Sequence, residues 1–143
     1  KASMKNRSDY KITDFTVYPL EGIWEKGDEK ALDKSKLKYS LMIKQPNFIT
    51  QDIFIKAFEN VKKKETNSLY DEISFEEIKE GKAIQILHVG SYDDEPKSFE
   101  QMKEFARKFN LTRTGDFHRE IYLSKKNRTS EEKQKTILRY TVR

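Results

Sequence analysis

Two apolar periods alternate along this short chain, and that alternation limits its possible folds more than any other feature. Phe54, Ala57, Phe58 and Val61 stand at i, i+3, i+4 and i+7 behind Thr50, the spacing of one helix face behind an N-cap. Phe99, Met102, Phe105, Ala106 and Phe109 form a second stripe, in a helix expected to open at Ser98 or a neighbour. The remaining apolar residues lie in short runs of strand character. Residues 15–22 make the first, where Pro19 implies an edge or strand end and Gly22 a bend. Residues 37–44, stopped by Pro46, are expected to pair with it across the charged segment 25–36. Residues 73–79 and 83–89 flank Glu80-Gly81 and read as a tight hairpin. Residues 117–124 and 136–142 complete the set, with a short helical turn expected after Ser130. The fold class is α+β, a largely antiparallel sheet with two main helices.

The order of these elements contains a partial repeat. The second half runs strand, helix, strand, charged loop, strand, and the first half has only the last three of these. The pair around Tyr18 and Met42 mirrors the pair around Tyr122 and Leu138. On this symmetry residues 1–7 are the tail of a helix whose start, with a preceding strand, lies upstream, so residues 1–143 are expected to be a single, N-terminally incomplete domain. A sheet lacking a strand exposes unpaired backbone, which an upstream segment or another chain is expected to cover.

With 143 residues, nine Phe, seven Tyr and one Trp, the chain has material for one core despite being 37% charged. Its net charge of +5 comes from interspersed residues, and the short runs Lys62-Lys63-Lys64 and Lys125-Lys126 lack the aromatic interleaving of a nucleic-acid platform. Nucleic acid is therefore disfavoured as a partner. Without cysteine there are no disulfides, no thiol catalysis and no thiolate zinc site. His88 and His118 show no metal-ligand spacing, and no phosphate loop or Gly-x-Ser-x-Gly elbow occurs, so neither metal nor cofactor is expected. No apolar stretch approaches the ~18 residues of a membrane span, and no signal-peptide pattern opens the chain, which makes the cytoplasm the default location.

Four motifs follow one another in order: Tyr18-Pro19-Leu20-Glu21-Gly22-Ile23-Trp24, Met42-Ile43-Lys44-Gln45-Pro46, Gln85 through Pro96 with Gly90-Ser91-Tyr92 at its centre, and His118-Arg119-Glu120-Ile121-Tyr122-Leu123-Ser124. Together they resemble the stand-alone GyrI-like proteins, relatives of the effector-binding domains of multidrug-sensing regulators. The resemblance implies pseudo-repeated β-α-β-β units around a central pocket. It also implies a small-molecule ligand that is planar and hydrophobic or cationic, with a glutamate at the position of Glu120 on the pocket floor. No helix-turn-helix precedes the domain in this sequence, which weakens a regulator reading unless such a segment also lies upstream of residue 1.

Read from the residues, Glu120 sits on an apolar strand where an unpartnered carboxylate is costly to desolvate, and the alternatives are a surface position or pairing with Arg119 or Arg139. His118 shares its face at a separation of two residues, which makes it a ligand-binding candidate that can orient Glu120, with a satisfied surface histidine as the favoured alternative. Trp24 can wall a planar ligand, and Tyr39, Met42 and Tyr122 are further candidate walls, with ordinary core as the alternative. Tyr92 follows Gly90-Ser91 at a strand-to-helix turn, where its hydroxyl can donate a hydrogen bond or a proton, with a purely structural turn tyrosine as the alternative. The acidic run Asp93-Asp94-Glu95 suits a helix N-terminus and is assigned no chemistry. Some proteins of the resembled type hydrolyse strained cyclopropanes of DNA-alkylating natural products. On that basis Glu120 and Tyr92 are the catalytic candidates of a detoxifying enzyme. A non-catalytic drug sensor or sequestration module, or a protein inhibitor of DNA gyrase, stays open beside it.

Overall fold

The structure, a computed structural model, describes residues 13–25, 38–125 and 127–143. The helical tail expected at residues 1–7 lies outside them. Internal contacts divide the chain into two units, one of residues 1–17 and 45–79, the other of residues 18–44 and 80–143.

In the first unit, α1 spans Gln51–Lys64 and starts as its sequence dictates, with Thr50 Oγ1 accepting the Ile53 N–H at 3.3 Å. Asp52 in the first turn and Lys62, Lys63 and Lys64 in the last oppose the helix dipole. The apolar stripe is packed by rings: Phe54 stacks on Phe58 at 5.6 Å and on Phe75 at 5.3 Å. Tyr70, in a 3-10 turn over Ser68–Glu72, meets Phe58 edge-on. Residues 73–79 form no strand, which corrects the hairpin expected there. Their alternation serves ring packing, with Phe75 against α1, rather than a backbone ladder.

The second unit is a five-stranded antiparallel sheet with one helix. Its strands are β1 (Leu20–Glu25), β2 (Tyr39–Ile43), β3 (Ala83–Val89), β4 (Phe117–Tyr122) and β5 (Lys135–Thr141), in the order β2-β1-β4-β5-β3. β1 begins just after Pro19, which has no N–H for a ladder, and Gly22 lies inside the strand instead of bending it. β3 finds its partner in β5, from Ala83 opposite Thr141 to Val89 opposite Lys135. The expected helical turn after Ser130 is a 3-10 turn over Glu131–Lys133.

α2 spans Glu95–Lys108, starting earlier than Ser98 because Pro96 is pre-set for a first helical turn and Asp94 stands at the cap position. Ser98 is instead a buried contact: its Oγ lies 2.8 Å from His88 Nδ1, while His88 Nε2 lies 2.8 Å from the Ser91 carbonyl. His88 thus pins the end of β3 to the start of α2. Asn110, at φ 53°, turns the chain out of the helix. Met102 and Ala106 of α2 pack on Ile84 of β3 and on Leu138 and Tyr140 of β5, and Leu138 is 0% exposed. The core therefore occupies the β5-β3 half of one sheet face.

On the opposite face β4 and β5 place Arg119 directly across from Arg139. Glu80 relieves that repulsion by facing Arg119 Nε at 3.1 Å and Arg139 Nη1 at 2.9 Å. Glu21 adds a second carboxylate 3.4 Å from Arg119. Alternation along β4 thus sends Arg119 to this network and Glu120 to the other face, so Glu120 does not pair with either arginine.

Candidate functional site

The floor of the site is written in the register of β1, β2 and β4. Gly22 stands across from Glu120, Trp24 from His118, and Tyr39 from Trp24. These residues therefore share the face that α2 covers over β3 and β5. Over β4, β1 and β2 that face lines a cavity of about 1770 Å³, whose walls include Trp24, Tyr39, Leu41, Tyr92, Phe99, His118 and Tyr122 around Glu120.

Glu120 is 7% exposed, and each of its oxygens is engaged. Tyr122 donates its hydroxyl to Oε2 at 2.7 Å, and His118 Nε2 lies 2.8 Å from Oε1. The indole N–H of Trp24 donates in turn to the Tyr122 oxygen at 2.9 Å. A buried carboxylate is thus supplied with partners on both sides, which offsets its desolvation. Burial pushes the Tyr122 phenol far above its ordinary range, and its bond to Glu120 and that carboxylate's charge push it further. Tyr122 is therefore a lasting donor. Tyr92 meets Tyr122 edge-on at 6.3 Å. Its phenol is raised by burial first, then by the charges of Glu120 and Glu95. Trp24 stacks on Tyr39 at 4.8 Å, and Phe99 sets its ring edge-to-face with His118 at 4.9 Å.

Of the residues singled out in the sequence, Glu120, Tyr92, Trp24, Tyr39, His118 and Tyr122 are brought together around this cavity. Met42 is not. It pairs with Glu21 on the opposite face, and Leu41 takes the place on the cavity wall. The reason is parity: Tyr39 and Met42 are an odd number of residues apart and cannot share one face of a regular strand.

Glu95 is the residue that the sequence reading passed over. Helix capping was a sufficient explanation for it, yet it lies on the cavity wall. Its position four residues before Phe99 extends the inward stripe of α2, a signal that was available. One carboxylate oxygen from Glu95, one from Glu120 and a ring nitrogen of His118 all lie within 4.8 Å of one another. Two carboxylates and an imidazole form a donor set of the kind that holds a divalent cation. As the site stands, His118 and Glu120 satisfy each other directly.

An aromatic-walled cavity with a hydrogen-bonded carboxylate on its floor defines a small-molecule-binding domain. The sequence matches the GyrI-like small molecule binding domain over residues 2–141, and the chain belongs to that family. Three solved structures from Listeria innocua share the fold. An uncharacterized conserved protein is 31% identical, with a TM-score of 0.89 over 99% of this chain and 72% of its own. A hydrolase is 30% identical, with a TM-score of 0.86 over 97% of this chain and 69% of its own. Another structure described as a hydrolase is 29% identical, with a TM-score of 0.85 over 99% and 71%. The chain has no significant match among curated proteins. Among the described residues no helix is long and apolar enough to cross a membrane.

Proposed function

We propose that the cavity takes a planar, hydrophobic or cationic small molecule and hydrolyses cyclopropanoid electrophiles, as a cytoplasmic detoxifying enzyme. One observation carries this reading: Glu120, buried at the foot of an aromatic wall, is held by Tyr122 and His118 with its oxygens turned into the cavity face. The hydrolase descriptions of two Listeria innocua relatives support the same class of chemistry.

In this mechanism Trp24 and Tyr39 hold the ring system flat against the wall. Glu120 orients a water and takes one of its protons as the oxygen attacks a cyclopropane carbon. The strained C–C bond breaks, and its electron pair moves into the conjugated system of the ligand. Tyr92, kept protonated by its setting, donates a hydrogen bond to the oxygen on which that charge gathers. Return of the Glu120 proton completes the net addition of one water. Following the absorbance of a cyclopropanoid substrate tests the reading. Glu120→Gln is expected to abolish turnover with the circular-dichroism spectrum intact, and unchanged turnover would remove Glu120 from the mechanism.

A non-catalytic sensor or sequestration module is the second reading. It is favoured by the engagement of both Glu120 oxygens by protein groups, which compete with a water for them while preserving the carboxylate's attraction for a cationic ligand. Saturable binding of a planar cationic dye without any turnover of cyclopropanoids would select it.

A further inference from the structure

Gly22 lies in the middle of β1, directly across from Glu120, and its backbone does not fall in the left-handed region that reserves a position for glycine. The strand conformation would accept any residue there. What excludes a side chain is space: a Cβ at Gly22 would stand 2.8 Å from Trp24 Nε1 and 3.1 Å from the Tyr122 hydroxyl. These are the two atoms whose 2.9 Å hydrogen bond joins the aromatic wall to the carboxylate.

We propose that Gly22 is a positioning residue of the site, whose missing side chain lets the indole of Trp24 and the hydroxyl of Tyr122 meet above the sheet. The proposal rests on the reading of Glu120 as the working carboxylate. Position 22 does not touch the ligand's reacting atoms. It acts through a run of contacts in which Trp24 donates to Tyr122, and Tyr122 donates to Glu120. A methyl group at position 22 must push the indole aside, because the other neighbour, Tyr122, is held at 2.7 Å by Glu120. Tyr122 then loses the donor that polarises its hydroxyl, and a ligand stacked on Trp24 is no longer set at a fixed height over Glu120. Disturbance of both positioning and polarisation predicts that Gly22→Ala lowers kcat more than it raises KM.

Trp24 is the only tryptophan, so one indole N–H resonance reports the bond without any ligand. In the full chain, Gly22→Ala is expected to speed hydrogen exchange of that N–H by about 10-fold or more, as for loss of one hydrogen bond worth over a kilocalorie per mole. Unchanged exchange in a folded Gly22→Ala protein would overturn the proposal, whatever the enzyme assay gives. A cycle with Trp24→Phe, which removes the N–H together with the nearer of the two crowding atoms, separates positioning from simple damage to the strand. The kcat loss caused by Gly22→Ala should largely vanish in the Trp24→Phe background. An equal loss in both backgrounds would show that Gly22 acts independently of the bond and would sink the idea. Should Gly22→Ala fail to fold alone, the double variant is expected to fold, and its failure to do so would also overturn the proposal. If the wild-type chain turns over no cyclopropanoid, the function reading fails, while the exchange measurement still decides the role of Gly22.

Discussion

Replacing Tyr122 with Phe removes one oxygen atom that serves two bonds. It donates to Glu120 at 2.7 Å and accepts the indole N–H of Trp24 at 2.9 Å. A hydrogen bond to a charged acceptor contributes about 1.5–3 kcal/mol, and a neutral one about 0.5–1.5 kcal/mol. The ring keeps some access to solvent, which screens the charged bond, and the variant is relieved of desolvating a hydroxyl. A net destabilisation of about 2 kcal/mol remains. Urea unfolding followed by Trp24 emission reads this from within the sheet unit, as a lower midpoint at unchanged slope. The difference also carries a pH signature. The folded phenol titrates above its ordinary value of 10.0, so above that pH the unfolded chain has lost a proton that the folded chain retains. Stability contributed by Tyr122 is thus complete below the unfolded pKa and declines as pH rises beyond it. The gap between wild type and Tyr122→Phe should shrink by at most about 1.4 kcal/mol per pH unit there. A gap below about 0.5 kcal/mol at neutral pH, or one that stays constant into the alkaline range, would refute the reasoning.

Other consequences concern the core, the charge network and the helix start. Leu138→Ala empties a position that is 0% exposed and should cost about 2–5 kcal/mol in urea unfolding. Glu80→Ala leaves Arg119 and Arg139 facing each other across adjacent strands, and a loss of about 3 kcal/mol, partly recovered by added salt, is expected in the same assay. Ser98→Ala removes the hydroxyl that lies 2.8 Å from His88 Nδ1. It should lower stability by about 1–2 kcal/mol and accelerate amide exchange at the start of α2.

Much of this arrangement was legible in the sequence because periodicity reports which residues share a face. The stripe of α1, the cap at Thr50 and the shared face of Glu120 and His118 follow from counting residues. That this face turns inward came from the family resemblance, since alternation alone leaves the side open. Of the α2 stripe, Phe99, Met102 and Ala106 join the core while Phe105 and Phe109 stay exposed. Alternation does not name a strand's partner, however. Residues 73–79 and β3 both alternate and flank a turn, yet β3 ladders with β5. The error at Met42 was one of parity and was avoidable from the numbering alone. Glu95 was harder to find, since an acidic residue at a helix N-terminus already has an electrostatic explanation that requires no cavity. Gly22 could not be understood from its neighbours alone. The atoms that require its small size belong to Trp24 and to Tyr122, the latter far along the chain on β4, and only the β1-β4 register brings it there.

The most direct test is a titration of the protein with a planar cationic dye, followed through the emission of Trp24. Wild type is expected to show saturable quenching at one dye per chain, with Glu120→Gln weakening binding by about 10-fold or more for the loss of a partly desolvated charge. Quenching that never saturates, or an affinity indifferent to the charge at position 120, would contradict a carboxylate-floored binding cavity.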